Sequence, residues 1–196
     1  MPPESAHIVS VQTGAARPLL IGGRRLLSAI GKSPVPGPVA VGSLGLAGDE
    51  QADLSVHGGL DKAVYAYPVE HLPFWHRLRR ERGLTLFDEP LPHGFMGENL
   101  STEGLLEHGV WIGDRWVIGD LVLRVTAPRE PCFKFNAVTG LPDAGRRMVE
   151  GVCCGCYLAV ERPGTVAAGA AIAVHPGPRG MTVAQAFLAK RIKHLR

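Results

Sequence analysis

Residues 116–123 read WVIGDLVL, with Gly119-Asp120 set between two apolar runs. A two-residue turn between strands wants positive φ at its centre, which Gly adopts freely and Asp tolerates, so this stretch predicts a β-hairpin. Working outward, its arms extend over 110–118 and 121–126. Further strands are expected at 7–11 (HIVSV), 39–41 and 156–160, each carrying β-branched or alternating apolar residues between turn signals. The chain holds 25 glycines and 16 prolines, and their close spacing in its first two thirds favours short strands. Many short strands are best protected in a closed or partly open barrel, so the expected fold is mostly β with a few helices.

Two helices are expected. Residues 68–82 (PVEHLPFWHRLRRER) place Val69, Leu72, Trp75 and Leu78 at helical spacing before Gly83, with a kink or restart at Pro73. Near the C-terminus, Thr182 can cap a helix whose lining side would be Leu188, Ile192 and Leu195. The domain reading is one domain over 1–176 and a helical extension over 177–196.

Composition excludes several classes. Of 196 residues, 45% are hydrophobic and 20% charged, which suits a packed fold and not a disordered one. Residues 1–7 show no basic stretch leading into an apolar one, so a cytoplasmic location is expected. The Ala-rich run 166–174 is far short of the roughly 20 residues a membrane span needs. A net charge of +3 without an aromatic and basic stripe does not imply nucleic acid, and the basic runs at 77–82 and 190–196 read as solvated helix faces. Four cysteines without an export signal suggest free thiols.

Several segments could carry chemistry. In 45–67 (GLAGDEQADLSVHGGLDKAVYAY), His57-Gly58-Gly59 sets a titratable ring beside residues that let backbone amides approach an anion; the alternative is a set of turns. Gly42, Gly45 and Gly48 do not form a dinucleotide fingerprint, and His71 and His76 do not form a zinc-protease pair. Asn99 either satisfies a turn or offers its amide to a ring edge in a pocket. Residues 128–132 (PREPC) place Cys132 on a proline-stiffened loop near Arg129, a cation of the kind that favours a thiolate; a packed free cysteine is the alternative. The C-x-x-C spacing in 153–156 lacks a second pair and runs into a strand, so it reads as structural.

Taken in order, 28–39 (SAIGKSPVPGPV), 45–68, 94–105 (GFMGENLSTEGL), 112–120 (IGDRWVIGD) and 128–135 (PREPCFKF) resemble the MOSC domain of the YiiM type, named for the C-terminal domain of molybdenum cofactor sulfurases. The resemblance covers most of 8–174. It implies a β-barrel-like fold and a pocket for the molybdenum cofactor (molybdopterin), a pterin with a dithiolene and a phosphate. It further implies reduction of N-hydroxylated bases or amidoximes to the amine or amidine. Cys132 falls at the family's functional cysteine, as catalytic residue and molybdenum ligand. Lys32, His57, Gly58, Lys62, Asn99 and Arg129 fall in the cofactor-binding motifs. A soft thiolate suits a metal held by sulfur, and Lys or Arg suits a phosphate.

The expected partners are a small N-hydroxylated substrate and a separate electron-donating reductase, with a homodimer as an admissible assembly and neither nucleic acid nor membrane involved. A persulfide carrier using Cys132 and a non-catalytic cofactor-binding protein are the rival readings. Two departures stand out. Residues 152–157 (VCCGCY) replace a stretch in which the family shows an Arg and a Trp, so Cys153 could bring a second thiol near the metal. The C-terminal helix would be the first of a longer helical domain. The loops around His57, Asn99 and Cys132 are expected in one cleft, made positive by Lys32, Lys62 and Arg129.

Overall fold

The computed structural model describes residues 6–52, 58–85 and 89–194. In chain order the elements are β1 (His7–Thr13), β2 (Arg17–Ile21), β3 (Arg24–Ser28), β4 (Ser33–Pro34), β5 (Val39–Gly42), β6 (Gly45–Leu46), β7 (Val64–Pro68), α1 (Leu72–Glu81), β8 (Leu100–Glu103), β9 (Arg115–Ile118), β10 (Leu121–Pro128), α2 (Phe133–Thr139), α3 (Ala144–Gly151), β11 (Cys156–Arg162), β12 (Gly164–Val166), β13 (Ala173–His175) and α4 (Val183–His194). No helix among the described residues is long and apolar enough to cross a membrane.

The hairpin read from WVIGDLVL forms as β9 and β10, paired from Ile118 opposite Leu121. Gly119 carries the positive φ, at 56°. β10 organises the fold: Leu121, Leu123 and Val125 alternate inward with no exposed surface. The main sheet runs β13-β9-β10-β11-β7-β8-β1-β4, and among these pairs β7 and β8 alone are parallel. Two register shifts between β10 and β11 bend it. Ile8 donates its N–H to Ala170 O at 2.9 Å and accepts that of Gly169 at 2.7 Å, which joins β1 to the chain entering β13. The sheet thus curls into the expected barrel-like shape. Its interior holds Ile8, Leu100, Trp116 and Leu158 among other fully buried side chains. Smaller sheets are β12-β5-β6 and the separate hairpin β2-β3.

Some expectations need correction. Of 110–118 only Arg115–Ile118 is a strand. Before it, Gly113 takes φ 96°, and Asp114 accepts N–H bonds from Trp111 at 3.0 Å and Gly177 at 2.9 Å, holding a turn there. The helix in 68–82 restarts as foreseen: a 3-10 turn over Val69–His71 gives way to α1, with Pro73 in its first turn, where a missing N–H costs nothing. In α4, Thr182 and Gln185 cap each other, Gln185 N–H to Thr182 Oγ1 at 3.1 Å and Thr182 N–H to Gln185 Oε1 at 2.9 Å. Its buried side is Val183, Ala184 and Phe187, and Leu188 is 42% exposed. The apolar stripe therefore lies one residue earlier than expected. Leu195 and the Ile192 side chain lie outside the described residues.

Candidate functional site

One end of the barrel gathers the motifs. Tyr65 near the start of β7, Asn99 before β8, Arg129 after β10 and Tyr157 in β11 come together because these strands are neighbours. A cavity of about 120 Å³ opens there, lined by Lys32, Asp49, Gly58, Lys62, Asn99, Arg129 and Cys132 together with Ile30, Met96 and the two tyrosines. Six of the seven residues singled out in sequence thus share one cavity. The seventh, His57, lies outside the described residues.

Arg129 has the most unusual setting. It is 5% exposed, its guanidinium lies 4.4 Å from the Phe135 ring centre and 5.7 Å from that of Tyr65, and Nη1 donates to Met148 Sδ at 3.4 Å. Among the described residues no carboxylate pairs with it. A buried cation without a counter-ion is costly, and an anion in the cavity would offset that cost. Burial pushes the Tyr65 and Tyr157 phenols up, and Arg129 opposes the shift in both.

Lys32, expected to help make the cleft positive, has its charge matched by a carboxylate. Its ammonium pairs with Asp49, both side chains being 7% exposed. Asp49 also accepts Gly14 N–H at 2.9 Å and Asn99 Nδ2 at 2.8 Å. Asn99 is equally committed, since its Oδ1 accepts Tyr65 N–H at 3.1 Å. These two residues face the cavity, but their polar atoms serve Asp49 and β7. Arg129, Lys62 and Lys134 are the other basic residues of the lining, and the Lys62 ammonium lies 5.7 Å from the Tyr157 ring centre. Asp49 was missed as a site residue. Its signal was present: a lysine inside a glycine-rich motif needs a partner when buried, and Asp49 lies in the matching segment.

Cys132 is half-buried and holds the N-cap position of α2 with extended backbone, φ −122° and ψ 168°. The other three cysteines are buried. Burial pushes the Cys153 thiol up to about 12 and raises Cys154 and Cys156 further, with the Glu107 carboxylate adding to each shift. Such thiols stay protonated and inert.

The family model of the MOSC domain matches residues 53–173. This chain belongs to the MOSC family. It is 39% identical over 159 residues to Protein YiiM of Escherichia coli, covering 81% of this chain and 69% of that one. It is 34% identical over 177 residues to a protein named Reductase from Gibberella moniliformis, covering 90% of this chain but 30% of that one. The crystal structure of YiiM from Geobacillus stearothermophilus superposes with a TM-score of 0.74 at 30% identity, covering 97% of this chain and 86% of that one.

MOSC membership ties the fold to the molybdenum cofactor, and the cavity has the donors such a group asks for: a buried unpaired guanidinium for its phosphate and a thiol for its metal. Of the substituted stretch 152–157 of this MOSC chain, Tyr157 lines the cavity and the three cysteines do not. Cys153 Sγ is directed to Met148 O, 3.8 Å away, so it is no second thiol at the site. The segment instead braces Arg129, which donates its N–H to Gly155 O at 3.4 Å. Gly155 has φ 64°, and a Cβ there would stand 2.3 Å from Ala66 O. Its N–H binds Glu107 Oε1 at 2.7 Å, and the Tyr65 hydroxyl donates to Cys154 O at 2.9 Å.

Proposed function

We propose that this chain is a molybdenum-cofactor reductase of N-hydroxylated compounds, with amidoximes and hydroxylated bases as the substrate class. The observation that carries the reading is the pairing of an uncompensated, buried Arg129 with the Cys132 thiol in one cavity. When bound, the cofactor supplies two-electron chemistry that takes an oxygen from nitrogen.

The protein's part is to hold and orient. Arg129 and Lys62 would bind the cofactor's anionic end, with Gly58 leaving room for backbone amides near it. Cys132 would ligate the metal through its thiolate, which the loop between Pro131 and Phe133 presents. Asp49 keeps Lys32 and Asn99 in place around it. Tyr65, Tyr157, Ile30 and Met96 give one part of the wall an apolar character suited to a flat substrate, beside polar lining residues such as Gln51 and Lys134. In the net reaction the N–O bond breaks, an N–H bond forms, and two electrons with two protons release the oxygen as water. A separate reductase would provide the electrons. The longer relative named Reductase supports this reading, because its matched segment is less than a third of its length.

The test is metal analysis and pterin fluorescence on protein made in a cofactor-competent host, followed by benzamidoxime turnover with reduced methyl viologen. Bound molybdenum with benzamidine formation is expected. Molybdenum without turnover would leave a binding protein, and sulfur labelling of Cys132 without pterin would favour a persulfide carrier.

A further inference from the structure

The hairpin β2-β3 pairs with no other strand. Its register sets Pro18 opposite Leu27 and Leu20 opposite Arg25, and these pairs share one face, because directly opposed residues point the same way. Leu19, Ile21 and Leu26 lie on the other face and are half-buried. The outward face is unusual. Solvated strand faces are normally polar, yet here Leu20 is 68% and Leu27 54% exposed beside Pro18 and a single arginine. The patch leads to the cavity: Ser28 at the end of β3 and Ile30 just beyond it line the cavity, as does Lys134, which donates to Leu27 O at 2.9 Å. Phe133, between the lining residues Cys132 and Lys134, is 59% exposed.

Charge indicates what would cover this face. Residues 15–30 contain Arg17, Arg24 and Arg25 and no acid, so the hairpin carries as much net charge as the entire chain, +3. Those three arginines engage no carboxylate among the described residues. A second copy docked by two-fold symmetry through the same face would bring like charges together. An acidic surface with an apolar centre would match it.

We propose that the outward face of β2-β3, together with Phe133, docks an acidic electron-carrier protein in its reduced form. This rests on the reductase reading. The carrier is oxidised as it gives up the two electrons of the reaction, solvent supplies the two protons, and the substrate's N–OH becomes N–H and water. Docking here brings the carrier beside the loop that holds Cys132.

The experiment compares the cofactor-loaded protein with its Leu20→Ser/Arg25→Glu variant, neither residue being part of the cavity lining. Flavodoxin, an acidic flavin protein, is the probe. Flavodoxin affinity and flavodoxin-driven turnover at low salt should each fall about tenfold or more in the variant, with viologen-driven turnover and thermal unfolding unchanged. Affinity of the unaltered protein should drop as salt rises. Equal affinity in both proteins, or no flavodoxin binding at low salt, would overturn the proposal. So would a dimer lost in the variant, or flotation with phosphatidylglycerol vesicles by the unaltered protein alone, since each assigns the face to another occupant. Absence of viologen-driven turnover would sink the reductase reading, and the affinity comparison would still decide the docking face.

Discussion

Lys32 and Asp49 form an ion pair in the cavity wall, each side chain only 7% exposed, and the same carboxylate holds Asn99 and the backbone of Gly14. One aspartate thus ties together three chain segments that sequence places far apart. Removing one partner of a buried pair leaves the other uncompensated, at a cost of roughly 3–5 kcal/mol. Asp49→Ala should therefore lose stability in that range by urea unfolding. The double change Lys32→Met/Asp49→Leu should recover much of it, because two apolar side chains leave no stranded charge. Equal stability of Asp49→Ala and the native protein would remove Asp49 from its central place.

Arg129 is predicted to behave in the opposite way. It is buried without a carboxylate partner, so Arg129→Met gives up little folding energy and could gain some. Cofactor content should fall sharply, since the best-placed cation for a phosphate is gone. Molybdenum measured by mass spectrometry, beside a melting curve, separates the two effects. Unchanged molybdenum would assign the anion to other groups.

The buried thiols predict a pH dependence. Burial holds the Cys153 thiol at about 12, against 9.0 for the unperturbed group, and pushes Cys154 and Cys156 higher still. Their folded-state values are raised, so the protons are bound more tightly in the native state. Stability is complete below pH 9 and is lost as pH rises from 9 toward 12, when the unfolded chain ionises first. Urea midpoints should fall across that window, and less so when Cys153 is replaced by Ala. At pH 8 a disulfide reagent should label Cys132 in the native protein and the other three only after unfolding. Rapid labelling of all four would contradict the burial.

Much of this was legible in the sequence, and the failures have physical causes. The WVIGDLVL hairpin and the alternation in β10 follow from side-chain periodicity, which is local. The cap of α4 was equally visible, but its buried side depends on where the helix meets β10, a tertiary fact. Helices α2 and α3 went unread because FKFNAVT carries aromatic and β-branched residues that suit a strand as well as a helix. Cys132, Lys62 and Arg129 were identified by motif and do meet in one cavity. The roles of Lys32 and Asn99 went unread because they depend on tertiary contacts with Asp49 that no periodicity reports; the sequence offered Asp49 only as a candidate acid in the matching segment.

The role of Cys132 is tested most directly by Cys132→Ser, compared with Cys154→Ser at equal molybdenum content and with reduced methyl viologen as donor. A serine hydroxyl is similar in shape, so the loop between Pro131 and Phe133 should still pack, but it is a harder and far less acidic ligand than a thiol. Cys132→Ser should keep the native melting temperature and lose most benzamidoxime reduction, whereas Cys154→Ser should lose some stability and little activity. Native rates in Cys132→Ser under these conditions would contradict the ligand assignment.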